Sequence, residues 1–221
     1  MQIHVLRLNN NICNFIYICI FYNMFSTLDL YFMAKAKKEY KILGVDPGTN
    51  LLGYAILQVN GKKINLQTMG VIKLKSYEDH MTKLKEIFLQ LQEIIETYLP
   101  SQMAVEAPFY GKNVQSMLKL GRAQGVAMAA GITMGLEITE YAPKKIKQSV
   151  TGNGNASKEQ VSAMLEGILN IKITSGPLDA TDALGAAVTH FNQSSGPLAG
   201  KKNYKDWGSF LKDNPGKVSK L

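Results

Sequence analysis

The sequence predicts an α/β fold: a mixed, five-stranded sheet flanked by helices. Three observations carry this. Residues 41 to 74 hold three apolar runs separated by turn residues, the signature of an antiparallel meander. From residue 76 on, segments of helical periodicity alternate with short apolar runs, as strands joined by helical crossovers do. A meander followed by crossovers gives one sheet with antiparallel and parallel neighbours and helices on both faces. The chain has 221 residues, 46% hydrophobic and 19% charged, which suits one domain with a proper core and excludes a disordered chain.

The elements follow in order. In KILGVDPGTNLLGYAIL, residues 41 to 57, Ile42, Leu43 and Val45 read as a buried strand and Leu52 to Leu57 as its partner. Pro47 presets the turn between them, and Gly48 is expected to supply a positive φ. Asn60-Gly61 signals a second hairpin into a third strand, Ile64 to Leu74. Ser76 to Leu99 reads as a helix, with Met81, Leu84, Phe88, Leu91, Ile95 and Tyr98 at helical spacing and Pro100 as its stop. Met103 to Val105 is a short buried strand ending in Glu106, and APFYGKN follows as a loop. Asn113 to Met134 is a helix rich in small residues: Gly121, Gly125, Ala127, Ala129, Ala130 and Gly131. Glycine in a helix costs about 1 kcal/mol against alanine, so this composition implies close backbone packing, against the sheet or a second subunit. Glu137 to Tyr141 is a strand, and Pro143 opens a short helix, PKKIKQSV. TGNGNA is a loop, Ser157 and Gln160 form a capping box for a helix through Leu169, and SGPL is a turn. Leu178 to Phe191 is the last core helix.

Two flanking segments differ from this body, which spans residues 33–193. Residues 1–32 are almost uncharged, rich in Ile, Phe, Tyr and Asn, and contain both cysteines, Cys13 and Cys19. The body therefore has no disulfide, thiolate metal site or cysteine nucleophile. The leader's apolar stretch, Ile12 to Tyr22, is broken by Asn14. It falls short of the roughly 20 residues of a spanning helix, and with Arg7 alone as a firm base it makes a poor signal peptide. The expectation is an upstream stretch outside the native fold, with the protein proper beginning at Met33; the alternative is a real anchor. Residues 194–221 open with Ser-Ser-Gly-Pro and interleave Tyr204, Trp207, Phe210 and Leu211 with lysines. This basic tail reads as an amphipathic helix docked on its own domain, or as a DNA-binding arm.

The net charge of +8 and a pI near 9.3 point to a polyanionic partner, nucleic acid before membrane. Against that basic background four acids stand out. Asp46 ends the first strand and Glu106 the fourth, while Asp179 and Asp182 lie three apart on the last helix and share a face. Sites in sheets with parallel strands lie beyond the strands' carboxyl ends. If the two strands are neighbours and the helix crosses beside them, four carboxylates meet, and these cannot all stay ionised without cations. Hard oxygen ligands favour Mg²⁺ or Mn²⁺, and two such ions can align an attacking water and a leaving oxygen on a phosphodiester. Taken singly the acids have plainer readings: Asp46 as a turn residue, Asp179 as a helix cap, Glu106 in a solvated loop. Phe109-Tyr110 beside the acids suits a wedge that stacks on bases, or an aromatic pair folded onto the core. Lys144, Lys145, Lys147 and Lys158 suit phosphate contacts, or a solvated basic face. Lys119 and Arg122, three apart on the small-residue helix, are open to packing or DNA contact, and His190 reads as a packing or capping residue rather than a ligand.

GVDPGTNLLGYAI, VEAPFYGKN, MLKLGRAQGVAMAA, YAPKKIKQSVTGNGNASKEQV and DATDALGAAVTH together resemble the RuvC family of Holliday-junction resolvases, in the family's order across about residues 40 to 193. The resemblance implies an RNase H-like fold of the retroviral integrase superfamily. It implies a cytoplasmic, homodimeric, structure-selective endodeoxyribonuclease of recombination and repair. Such an enzyme nicks a four-way DNA junction symmetrically, leaves 5′-phosphate and 3′-hydroxyl ends, prefers a short T-rich sequence, and works with a RuvA–RuvB branch-migration machine. Asp46, Glu106, Asp179 and Asp182 match the family's metal-binding acids, with two Mg²⁺ (or Mn²⁺) per active site. Phe109 matches a base-stacking aromatic, and Lys147 and Lys158 match basic residues that contact DNA. Tyr110, Lys112, Lys144, Lys145 and Arg122 join them as candidate DNA-binding residues. Ala107 departs from the larger side chain expected after the glutamate, which touches the shape of the wedge loop and not the chemistry. The rivals are an RNase H-like nuclease with another substrate, such as RNA–DNA hybrids, and a junction-binding protein that does not cut. An actin-like ATPase, which DPGT fits loosely, needs two such domains and more chain than follows Met33.

Overall fold

A computed structural model describes residues 39–108, 113–173 and 178–194. The leader, the tail from residue 195, residues 174–177 with most of the SGPL turn, and Phe109, Tyr110 and Lys112 lie outside the described residues. The strands are β1 (Glu39–Asp46), β2 (Leu51–Asn60), β3 (Lys63–Lys73), β4 (Gln102–Glu106) and β5 (Glu137–Tyr141). The helices are α1 (His80–Tyr98), α2 (Val114–Thr133), α3 (Pro143–Thr151), α4 (Lys158–Leu169) and α5 (Leu178–Ser194). The sheet runs β3-β2-β1-β4-β5. β2 and β3 pair antiparallel, whereas β1 with β4 and β4 with β5 pair parallel, so the expected mixed sheet is present.

Alternation along the strands feeds two cores. Leu43, Val45, Leu52, Ile56, Met103 and Val105 face α1 and α2. Ile42, Ala55, Leu57, Val59 and Ala104 face α3, α4 and α5. On the second face α5 lies against the strands at backbone distance. A Cβ at Gly44 would stand 2.0 Å from the Ala183 carbonyl oxygen, and one at Gly53 would stand 1.9 Å from that of Asp179. Glycine at these two points, with Ala180, Ala183, Ala186 and Ala187 on the helix, lets α5 settle onto β1 and β2.

The local expectations fare unevenly. The Ser157–Gln160 capping box forms as read, with Ser157 N donating to Gln160 Oε1 at 2.9 Å. Helix α1 starts at His80 rather than Ser76, because Asp79 caps it by accepting from the Thr82 amide at 2.8 Å. Its fully buried line is Ile87, Leu91 and Ile95; Phe88 packs only partly and Met81 is exposed. The second hairpin turns on Gly61-Lys62, since Asn60 still pairs with Lys63; Gly61, at φ +62°, takes the first turn position. Gly48 does not adopt the expected positive φ. What it supplies is room, because a Cβ there would meet the Leu51 carbonyl oxygen at 1.8 Å. On α2 the close packing holds for Ala123, Ala127, Ala130 and Gly131, while Gly121 and Gly125 face open space.

Candidate active site

The site begins with strand geometry. β1 and β4 are parallel neighbours with Val45 opposite Val105, so the next residues, Asp46 and Glu106, end side by side. Alternation turns both toward the face that carries α5. The glycine-permitted approach of α5 then brings its first turns, with Asp179 and Asp182, to the same corner. Electrostatics records this convergence. Burial, then the charges of Asp182 and Asp179, push the Asp46 carboxyl up from 3.8 to about 7, and Lys158 opposes them. Burial, then Asp46 and Asp182, push Glu106 up from 4.5 to about 8, against Lys158 and Lys147.

The acids meet less tightly than the sequence reading expected. Among the described residues no three His, Cys, Asp or Glu side chains form a group set to hold an ion. Two reasons are physical. Like charges without a cation between them repel, and Asp182 is already engaged: Lys158 Nζ donates to its Oδ2 at 2.5 Å. The donor set nevertheless fits a hard divalent cation. All four groups are carboxylates, and the two at the strand ends, half-buried, are held far above their ordinary range by desolvation and by the neighbouring acids, a strain that a cation would relieve.

The basic candidates divide. Lys144, Lys147 and Lys158 line, with Glu106 and Asp182, a cleft of about 520 Å³ whose apolar wall includes Ile146 and Val161. Lys145, on the same helix, is exposed and outside this lining. Arg122 lies away from the cleft, on α2 near His80 of α1. His190 is buried and accepts or donates at Nδ1 with the Tyr141 hydroxyl at 2.9 Å, in keeping with a packing role. Gln124 was missed by the sequence reading. It is buried, its Nε2 donates to Glu140 at 2.7 Å, and it walls a smaller cavity of about 100 Å³ with Asp46, Pro47 and Glu106. Its signal was a lone amide four residues after Leu120 on a helix face otherwise lined by alanine.

The sheet order, its parallel centre and the helices on both faces define an RNase H-like fold, the scaffold of a broad class of nucleases. Comparison narrows the class. Residues 42–190 match the family model for crossover junction endodeoxyribonuclease RuvC. The protein of that name from Christiangramia forsetii is 54% identical over 182 residues, covering 82% of this chain and 94% of that one. Its counterpart from Porphyromonas gingivalis is 55% identical over 185 residues, covering 82% and 98%. The structure of Thermus thermophilus RuvC in complex with Holliday junction substrate superposes with a TM-score of 0.64 at 32% identity, covering 68% of this chain and 92% of that one. The chain belongs to the RuvC family of crossover junction endodeoxyribonucleases.

Proposed function

We propose that this chain resolves four-way DNA junctions by hydrolysing one phosphodiester per subunit, with Asp46, Glu106, Asp179 and Asp182 as the metal-holding acids. The observation that carries the reading is the pair of half-buried carboxylates at adjacent strand ends, facing the acids of α5 beside a lysine-lined cleft. Family membership, and a relative of 32% identity described in complex with a Holliday junction substrate, support the substrate class.

The chain's own residues divide the work. Lys144, Lys147 and Lys158 draw the backbone phosphates into the cleft next to Glu106 and Asp182. The partial burial of Asp46 and Glu106 limits the screening of the reacting phosphate by bulk water. Two Mg²⁺ or Mn²⁺ ions, held by the four carboxylates when bound, supply the charge that favours ionisation of a water and steadies the departing oxygen. Water oxygen bonds to phosphorus as the P–O3′ bond breaks; the water gives up a proton to solvent and the departing 3′ oxygen takes one up, so the products are a 5′-phosphate and a 3′-hydroxyl. Lys158, which pairs with Asp182 in this structure, would be available to a phosphate oxygen where Asp182 holds a cation.

The domain division is part of the same proposal: a nuclease domain over 33–193, a leader outside it, and a basic tail. The span of the family match, 42–190, supports it. So is homodimerisation, through the exposed face of α2 that carries Val114, Leu118, Gly121, Gly125 and Ile132. Phe109, Tyr110 and Lys112 as wedge and contact residues, Lys145 as a further contact, cytoplasmic placement and a RuvA–RuvB partner complex rest on the family resemblance. Among the described residues no helix is long and apolar enough to cross a membrane.

The test compares a mobile four-way junction, linear duplex and an RNA–DNA hybrid, each with Mg²⁺ and with EDTA, reading cut positions on every strand. Paired symmetric nicks on the junction alone, only with metal, are expected. Asp46→Asn is expected to abolish cutting and leave junction binding within a few-fold, because phosphate contacts dominate affinity. Binding without any cut by the unaltered protein would leave the non-cleaving reading in place.

A further inference from the structure

Four residues that the cleavage site does not use gather where α1 packs on α2. Lys119 and Arg122 are exposed and lie three apart on one face of α2. Lys83 lies one turn beyond His80 on α1, and its Nζ donates to Asn50 Oδ1 at 3.3 Å, in the loop that follows Asp46. His80 sits among them: its Nε2 is buried without a partner, and burial followed by the charges of Arg122 and Lys119 lowers its pKa. Lys83 adds to this effect, and Asp79 alone opposes it. That one acid is already committed, since its Oδ2 accepts from both the amide and the hydroxyl of Thr82. Among the described residues Lys83, Lys119 and Arg122 form no ion pair with an acid. Surface cations gathered on one side without an acid partner suit an anion supplied from outside.

Position says which anion. Asp46 and Glu106 end their strands at the sheet edge where α1 and α2 begin. Lys144, Lys147 and Lys158 flank the acids on the α5 face, whereas Lys83, Lys119 and Arg122 stand on helices of the other face. The acids therefore lie between two basic clusters. A strand threaded past the acids occupies one cluster. A branched DNA, whose backbones diverge from the crossover, has phosphates to offer the other.

We propose that Lys83, Lys119 and Arg122, around His80, form a second phosphate-binding site that holds a junction backbone other than the strand being cut, and so favours branched over linear DNA. This rests on the reading of the chain as a junction nuclease, in which Arg122 is already a candidate DNA contact; what is added is its grouping with Lys83, Lys119 and His80 on a second backbone.

The test uses full-length protein carrying Asp46→Asn, which stops cutting during the measurement. Affinity for a four-way junction and for linear duplex is measured against salt concentration. Lys119→Ala/Arg122→Ala is compared with Lys62→Ala/Lys63→Ala, which removes equal charge from the β2–β3 hairpin at the far end of the sheet. The patch variant is expected to lower the junction's salt slope by about 1.8, at about 0.9 per phosphate contact, and the duplex slope by less than half as much. The hairpin variant is expected to leave both slopes unchanged. Equal effects of the two variants, no change in the junction slope, or equal losses on junction and duplex would each overturn the second site. Failure of the Asp46→Asn protein to bind junctions at all would instead overturn the functional reading beneath it.

Discussion

Replacing Gly44 by alanine tests how the fold assembles the acids. Gly44 lies on β1 two residues before Asp46, and its missing side chain is the space that the Ala183 carbonyl occupies. An added Cβ would begin 2.0 Å from that oxygen, and real Cβ atoms essentially never come nearer than 3.0 Å. Backbone must therefore retreat by at least 1.0 Å. Ala183 directly follows Asp182, so the retreat carries Asp182 away from Asp46 and Glu106. A misplacement of about 1 Å at a reacting centre costs on the order of 100-fold in rate. The same overpacking costs about 1–3 kcal/mol of stability. Gly167→Ala is the control: that glycine lies inside α4 with open space at its Cβ, and the change gains up to about 1 kcal/mol of helix propensity. The assay is single-turnover junction cleavage at saturating Mg²⁺, beside junction binding in EDTA and thermal unfolding. Gly44→Ala is expected to fold, bind within a few-fold of the parent, and cut about 100-fold more slowly. A folded Gly44→Ala protein that cuts within threefold of the parent would refute the claim that α5 sets the acid spacing.

The remaining predictions concern stability. Because Asp46 is raised from 3.8 to about 7 and Glu106 from 4.5 to about 8, the folded chain binds protons that the unfolded chain releases. Their stabilising contribution is complete at acid pH and is lost as pH climbs from about 4 towards 8. In EDTA the Tm should fall across that window, and Mg²⁺ should restore more at pH 8 than at pH 5; calorimetry showing no Mg²⁺ effect at pH 8 would contradict it. Leu99 ends α1 in the left-handed region at φ 51° with its side chain 75% exposed. Relief of about 1–2 kcal/mol of backbone strain, set against the entropy glycine adds to the unfolded chain, makes Leu99→Gly stabilising by about 0.5–1 kcal/mol. Denaturant midpoints check this, and a lower midpoint would count against it.

Much of the frame was legible because it is written locally. The meander, the crossovers and the Ser157–Gln160 capping box follow from periodicity and turn chemistry within a few residues. Asp46 and Glu106 could be placed at strand ends for the same reason. What escaped depends on distances between segments. Gly48 was read for its torsional freedom, yet it is the closeness of Leu51 that demands glycine. Phe88 and Ile87 differ by a 100° step on α1, and only the position of α2 and the sheet decides that Ile87 goes inside. The engagement of Asp182 by Lys158 joins residues 24 apart on two helices, and nothing in either helix alone announces it.

The same distinction explains why the acids sit where they do. A carboxylate at a strand end is ordinary while it stays in water. Asp46 becomes unusual only because Gly44 and Gly53 admit α5 to backbone contact, which buries it and sets two further acids against it. The clustered acids are the unfavourable element of the cation-free fold, and the close approach that the glycines permit is what raises Asp46 and Glu106. Two glycines that admit the helix and two half-buried acids beside it are the arrangement expected where a bound cation restores what the approach costs.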